Sequence, residues 1–167
     1  ECTIRYDYIE TGVYEFLSER LNACKTLPEI EFVFAGSGPM ENELCGIENV
    51  TNVGFKSGEE LRKLIAEAAF SIYPSVWYEN CPFSVMESQM YGTPVIGSNM
   101  GGIPELISTQ NKPTGILFDA KDTDDLAKKI YELWNDSAKL KELTDNCKEL
   151  YFDDVEQYTE KLLAYYK

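Results

Sequence analysis

Histidine is absent from all 167 residues. Without imidazole there is no Ser-His or Cys-His nucleophile, no histidine general base, and no metal site of the usual transition-metal kind. Chemistry must come from carboxylates, hydroxyls, backbone amides or the substrate itself. Cysteine is sparse and unpatterned: Cys2, Cys24, Cys45, Cys81 and Cys147 are odd in number and include no CxxC pair. That suits free thiols in a reducing compartment better than a disulfide framework or a zinc site, and a cytoplasmic protein is the expectation. No apolar run approaches the roughly 20 residues needed to cross a bilayer, and no signal-peptide pattern opens the sequence. Membrane contact is therefore not evident, although the inner membrane face stays open to a full-length form. Positive charge is scarce. Fifteen Lys and Arg against 29 Asp and Glu leave a formal charge of −14. A phosphate backbone needs a basic surface, so nucleic acid is excluded as a partner. One small anion is not, because a few amides can hold a diphosphate whatever the net charge.

What is present reads as one domain over residues 1–167, long enough for one good core. Short, nearly continuous apolar runs at residues 30–35, 70–73, 94–97 and 115–118 predict buried strands, with 50–55 a weaker one. Between them lie stretches of helical spacing. Leu61, Leu64, Ile65, Ala68 and Ala69 share one face, as do Leu126, Ile130, Leu133 and Trp134. Strands buried on both sides and alternating with helices predict an α/β fold, a Rossmann-like doubly wound parallel sheet with helices on both faces. Residues 122–167 are expected to be mostly helical, with breaks at Asn135-Asp136 and at residues 151–154. Asp122-Thr123-Asp124 has the look of a metal-binding D-x-D. Its place at a helix start, with Asp125 three residues after Asp122, reads better as an N-cap.

Ligands of such sheets bind at the carboxyl ends of the strands. Three loops there are rich in glycine or proline: residues 35–39, 74–82 and 97–104. In the first, Gly36 and Gly38 would let the backbone approach a phosphate, or make a tight turn into a helix with Pro39 at its first position. A dinucleotide fingerprint wants a third glycine where Glu41 stands, so a nicotinamide dehydrogenase is disfavoured. In the second, Pro82 is expected to open a helix, so that the amides of Phe83 and Ser84 point outward with partial positive charge. Glu79 precedes that helix and Glu87 lies about one and a half turns inside it. Ionised carboxylates are strong acceptors for sugar and ribose hydroxyls. Each acid also has an ordinary reading, Glu79 as dipole compensation and Glu87 as a solvated position. Glu87 is less easily dismissed, since Val85, Met86, Met90 and Tyr91 put apolar neighbours around it.

Glu79, seven intervening residues and Glu87 match the E-x7-E motif of GT4-type (glycosyl transferases group 1) retaining glycosyltransferases of the GT-B fold. Tyr73-Pro74-Ser75 stands before it, with Gly92-Thr93-Pro94-Val95, Gly101-Gly102-Ile103-Pro104-Glu105 and Gly115-Ile116-Leu117 behind. Their order and spacing resemble the signature of that family's donor-binding C-terminal domain over roughly residues 30–135. The resemblance implies that Glu79 holds hydroxyls of the transferred sugar and is the catalytic candidate, and that Glu87 holds the ribose. It implies that Phe83 and Ser84 lie near the sugar and diphosphate, and that Phe55 and Lys56 lie beside the base. Ser75, Gly36 and Gly38 fall on further landmarks. The implied donor is a UDP-, GDP- or ADP-sugar, transferred without a metal to a saccharide or lipid-linked acceptor, in cell-surface polysaccharide or glycolipid synthesis. The acceptor would be held by an N-terminal domain absent from this chain, so the isolated fragment is expected to be inactive. Thr11 stands where the family has a phosphate-gripping lysine, Arg5 is one residue out of register for its arginine, and Pro82 replaces a common glycine. A non-catalytic nucleotide-sugar-binding module and another GT-B enzyme such as an epimerase are the alternatives.

Overall fold

The computed structural model describes residues 2–5, 21–38, 40–108 and 112–166. Among them six strands form one parallel sheet: β1 (Cys2–Arg5), β2 (Phe32–Ala35), β3 (Val50–Asn52), β4 (Phe70–Tyr73), β5 (Val95–Ser98) and β6 (Gly115–Phe118). Their order is β3-β2-β1-β4-β5-β6, and every neighbouring pair runs parallel. That is the doubly wound order, in which the chain starts at the centre, builds outward one way, then returns to build the other. The reversal falls between β1 and β4.

The helices are α1 (residues 21–26), α2 (Gly58–Glu67), α3 (Phe83–Met90), α4 (Ile103–Ile107), α5 (Thr123–Asn135), α6 (Ser137–Lys148) and α7 (Val155–Ala164). Successive residues of a strand face opposite sides of the sheet, and β5 shows what covers each. Ile96 joins the larger core cluster with Phe32, Phe70, Phe118, Leu126 and Ile130, whereas Val95 joins a smaller one with Val85 of α3 and Ile103 and Ile107 of α4. Helix α3 thus packs one face and α5 the other. This is the Rossmann-like architecture expected from the alternation.

Several local expectations need revision. Strand β1 was not foreseen, because Cys-Thr-Ile-Arg carries no apolar run. The run at 30–35 is a strand only from Phe32, and that at 50–55 only to Asn52. No α-helix follows the Gly36–Gly38 loop, only a single 3-10 turn at Glu41–Leu44 with no buried residue. Pro39, expected at a first helical position, lies outside the described residues. Pro82 is the cap rather than the first turn of α3, with φ −68° and ψ 114°, so the helix opens one residue later at Phe83. Asp122 caps α5 as expected, its carboxylate accepting from the amides of Asp124 and Asp125 at 3.0 and 3.2 Å. Asp136 caps α6 and Asp154 caps α7 at the two predicted breaks.

Candidate functional site

All loops that follow a strand open on one edge of a parallel sheet, and the crevice lies at the reversal. Arg5 ends β1 opposite Ala35, and Tyr73 ends β4. The loop carrying Glu79 therefore starts at that crevice. Ser75 turns it: its Oγ accepts from the amide of Trp77 at 3.2 Å, a local hydroxyl-to-backbone bond that bends the chain. The amide of Glu79 then donates to the carbonyl of Trp77 at 2.9 Å.

A second loop clamps the first. The amide of Gly102 donates to the carbonyl of Glu79 at 2.7 Å. A methyl group added at Gly102 would fall 1.9 Å from the carbonyl oxygen of Asn80, and one at Gly101 would fall 2.4 Å from that of Glu79. Only residues without a side chain let the two backbones come so close. The glycine pair predicted on the carboxyl edge is thus the seat on which Glu79 is mounted.

Helix α3 carries the rest. Val85, Ser88 and Gln89 face inward, Phe83 and Glu87 share the opposite side by i, i+4 spacing, and Ser84 lies on the flank between the two. Glu87 rises about 6 Å above Phe83 along the axis. Phe83 and Ser84 occupy the first turn, where amides have no intrahelical acceptor and the helix dipole is positive. Glu79, Ser84 and Glu87 are each half-buried, and Phe83 is 75% exposed. Both acids thus stand at an accessible surface, neither sealed in the core nor projecting bare.

The inward face is fixed by polar bonds as well as by Val85. Gln89, 1% exposed, donates from Nε2 to the carbonyl of Leu106 at 2.8 Å and to Oγ1 of Thr114 at 2.7 Å. Ser88 Oγ donates to the carbonyl of Thr93 at 3.0 Å and lies 2.7 Å from Oγ of Ser71. Helix α3 is thereby bonded to α4, to the start of β6, to β4 and to the turn before β5. The sequence pattern singled out the two acids and missed this scaffold beneath them.

The first glycine loop meets the third strand's loop. The amide of Gly36 donates to the carbonyl of Gly54 at 2.9 Å, so that amide is already used by the protein. Gly38 is different: it does not adopt positive φ, and a Cβ there would meet nothing within 4 Å. Neither conformation nor packing among the described residues asks for glycine at this position. Glu41, which would compete with a nearby phosphate, is drawn to β3 instead, accepting from Nδ2 of Asn52 at 2.8 Å. Beyond β3, Phe55 is 71% exposed and Lys56 pairs with Glu60 at 3.6 Å. The Gly38 and Phe55 loops are therefore neighbours on the β2-β3 side of the crevice, with the Glu79 loop and α3 across it. Thr11 lies outside the described residues.

A family model for glycosyl transferases group 1 matches residues 5–136, a span that contains Glu79, helix α3 and the Gly101-Gly102 loop. The sulfoquinovosyl transferase SQD2 of Arabidopsis thaliana is 32% identical over 130 residues, 75% of this chain and 25% of that protein. A mannosyltransferase of Mycolicibacterium hassiacum is 31% identical over 114 residues, 66% of this chain and 27% of its own length. Among solved structures, sucrose-phosphate synthase from Thermosynechococcus elongatus superposes with TM-score 0.77 at 23% identity, over 99% of this chain and 45% of that one. The Anabaena protein HepE, solved in complex with UDP-glucose, gives 0.78 at 19% identity, over 98% and 48%. These two show the fold. The chain spans between about a fifth and a half of the proteins it matches. By the match over residues 5–136, this chain belongs to the glycosyl transferases group 1 family and has the GT-B type of fold.

Proposed function

We propose that this chain binds a nucleoside-diphosphate sugar as the donor half of a retaining glycosyltransferase. The observation that carries the reading is the mounting of Glu79 on the Gly101-Gly102 clamp, immediately before a helix whose exposed first turn shares its face with Glu87. Glu79 accepts hydroxyls of the sugar, Glu87 accepts the ribose hydroxyls one helical turn further on, and the amides of Phe83 and Ser84 lie nearer the diphosphate. Gly38 lets the phosphates approach from across the crevice, and the base rests beside Phe55 and Lys56. As the glycosidic bond breaks, charge builds on the leaving diphosphate, and N–H groups aimed at it lower that barrier. Glu79 is the catalytic residue, and no metal is required. UDP, GDP and ADP are the nucleotides to try, UDP first because HepE was solved with UDP-glucose.

The acceptor, a saccharide or lipid-linked sugar, is held by the remainder of a longer protein, which acts in the cytoplasm in making cell-surface polysaccharide or glycolipid. The chain alone binds donor without turning it over. A non-catalytic binding module is the second reading, favoured by Thr11 in the lysine's place. Calorimetry with the three nucleotides tests the first. One of them binds, and Glu87→Ala weakens it at least about tenfold, since a charge-assisted hydrogen bond is worth about 1.5–3 kcal/mol. Binding that ignores the substitution, or failure of all three nucleotides to bind, sinks the reading. In the full-length protein, Glu79→Gln abolishes transfer if the enzyme reading holds.

A further inference from the structure

Two strands away from the crevice, the same edge of the sheet carries an open cavity of about 360 Å³. Tyr78 comes to it from the loop after β4, Asn99 and Gly101 from the loop after β5, and Asp119 and Lys121 from the loop after β6. The volume is at the small end of ligand sites, enough for one sugar ring and too little for a nucleotide.

Its lining has two kinds of chemistry. Tyr78 is 86% exposed, and its ring is an aromatic surface that can cover the C–H face of a pyranose. Asn99 is exposed and offers both a donor and an acceptor. Asp119 accepts from the amide of Lys121 through one carboxylate oxygen at 2.9 Å, while the other has no partner among the described residues.

The cation is the telling group. Lys121 is exposed and forms no ion pair among the described residues, in a chain whose formal charge is −14. Of the acids that follow, Asp122 caps α5, its Oδ1 accepting from the amides of Asp124 and Asp125, and Asp125 accepts from the amide of Asp119 at 2.9 Å and pairs with Lys129 at 3.9 Å. Lys56, on the same edge beyond β3, is paired with Glu60.

We propose that this cavity is a subsite for one sugar residue bearing a carboxylate or similar anionic group. The ring stacks on Tyr78, hydroxyls bond to Asp119 and Asn99, and the anion meets Lys121. Tyr78 adjoins Glu79 in sequence and Gly101 packs on the backbone of Glu79, so the subsite borders the proposed donor site. Assigning the sugar to the acceptor side rests on the function proposed above; binding itself does not.

Ligand-observed NMR titration of the purified chain tests this, with methyl β-D-glucuronide, methyl β-D-glucoside and inorganic phosphate, each with and without UDP. The glucuronide is expected to bind about tenfold more tightly than the glucoside. Lys121→Gln removes that difference, Tyr78→Ala weakens both sugars, and UDP displaces neither. Equal affinity for the two sugars, or a glucuronide indifferent to Lys121→Gln, overturns the proposal. So does phosphate binding as well as the glucuronide, which would make this an anion spot, or displacement by UDP, which would place the sugar in the donor crevice. Loss of UDP binding with the glucuronide retained counts against the donor reading alone.

Discussion

At Gly101-Gly102 an added methyl group would strike the backbone of Glu79 and Asn80, whereas at Gly38, on the other side of the same crevice, it would meet open space. Both stretches are glycine-rich loops at the carboxyl ends of parallel strands, and from the sequence they look alike. One is shaped by the protein's own backbone, which must pass through the volume of a side chain. The other meets no such demand among the described residues, and under the proposed function it is the nucleotide that would need the space. The glycines that build a site and those that leave room for its occupant can thus be told apart by asking what a Cβ would touch.

The largest expected effect is at the Gly101-Gly102 loop. Gly102→Ala must push residues 79 and 80 aside, and overpacking of this kind costs about 1–3 kcal/mol. Urea unfolding should show that loss, and nucleotide binding should fall with it. An alanine tolerated in both respects would break the distinction. Gly38→Ala should have the opposite sign. With ordinary φ and open space, alanine keeps stability or raises it by about 0.4–1 kcal/mol through the unfolded chain, while nucleotide affinity falls because the methyl group occupies the ligand's path. Unchanged affinity would leave Gly38 unexplained.

The smallest effect checks that such changes stay local. Burial pushes the thiols of Cys24 and Cys147 up to about 12, whereas Cys45 and Cys81 are exposed. A thiol reagent at pH 8 should therefore label Cys45 and Cys81 and spare the other two, in the native chain and equally in Gly102→Ala. In the unfolded chain the buried pair would ionise near 9.0. The unfolded state then releases protons first, so stability should decline as pH rises from about 9 toward 12. Labelling of Cys24 or Cys147 in the variant would show that the damage reaches the core.

The elements that announced themselves in the sequence are those buried on both faces. In β2 and β5 all four residues are buried, and each read as an apolar run. Strand β3 was faint because it lies at the sheet edge, where Val50 and Asn52 are only partly covered and Thr51 is exposed. Strand β1 was invisible although it is central, because Cys-Thr-Ile-Arg is too short and mixed to show a pattern. The helix expected after Gly38 failed because Glu41-Asn42-Glu43 offers no apolar stripe to bury. At the site, Glu79 and Glu87 were legible as spaced acids in a familiar motif. Their support was not, because Gly102 reaches Glu79, and Gln89 reaches Thr114, only once the strands have been laid side by side. Lys121 escaped notice for the same reason: nothing in its neighbourhood along the chain links it to Tyr78.

The bonds that Gln89 makes to Leu106 and Thr114 have a mechanical consequence. They brace the helix bearing Glu87 against the same framework that seats Glu79, so the span between the two carboxyl-bearing positions is set before any ligand arrives. A molecule that touches both is measured against a fixed gauge. Hinging of the surrounding protein would carry that gauge as one piece, and could alter who reaches it without altering its length.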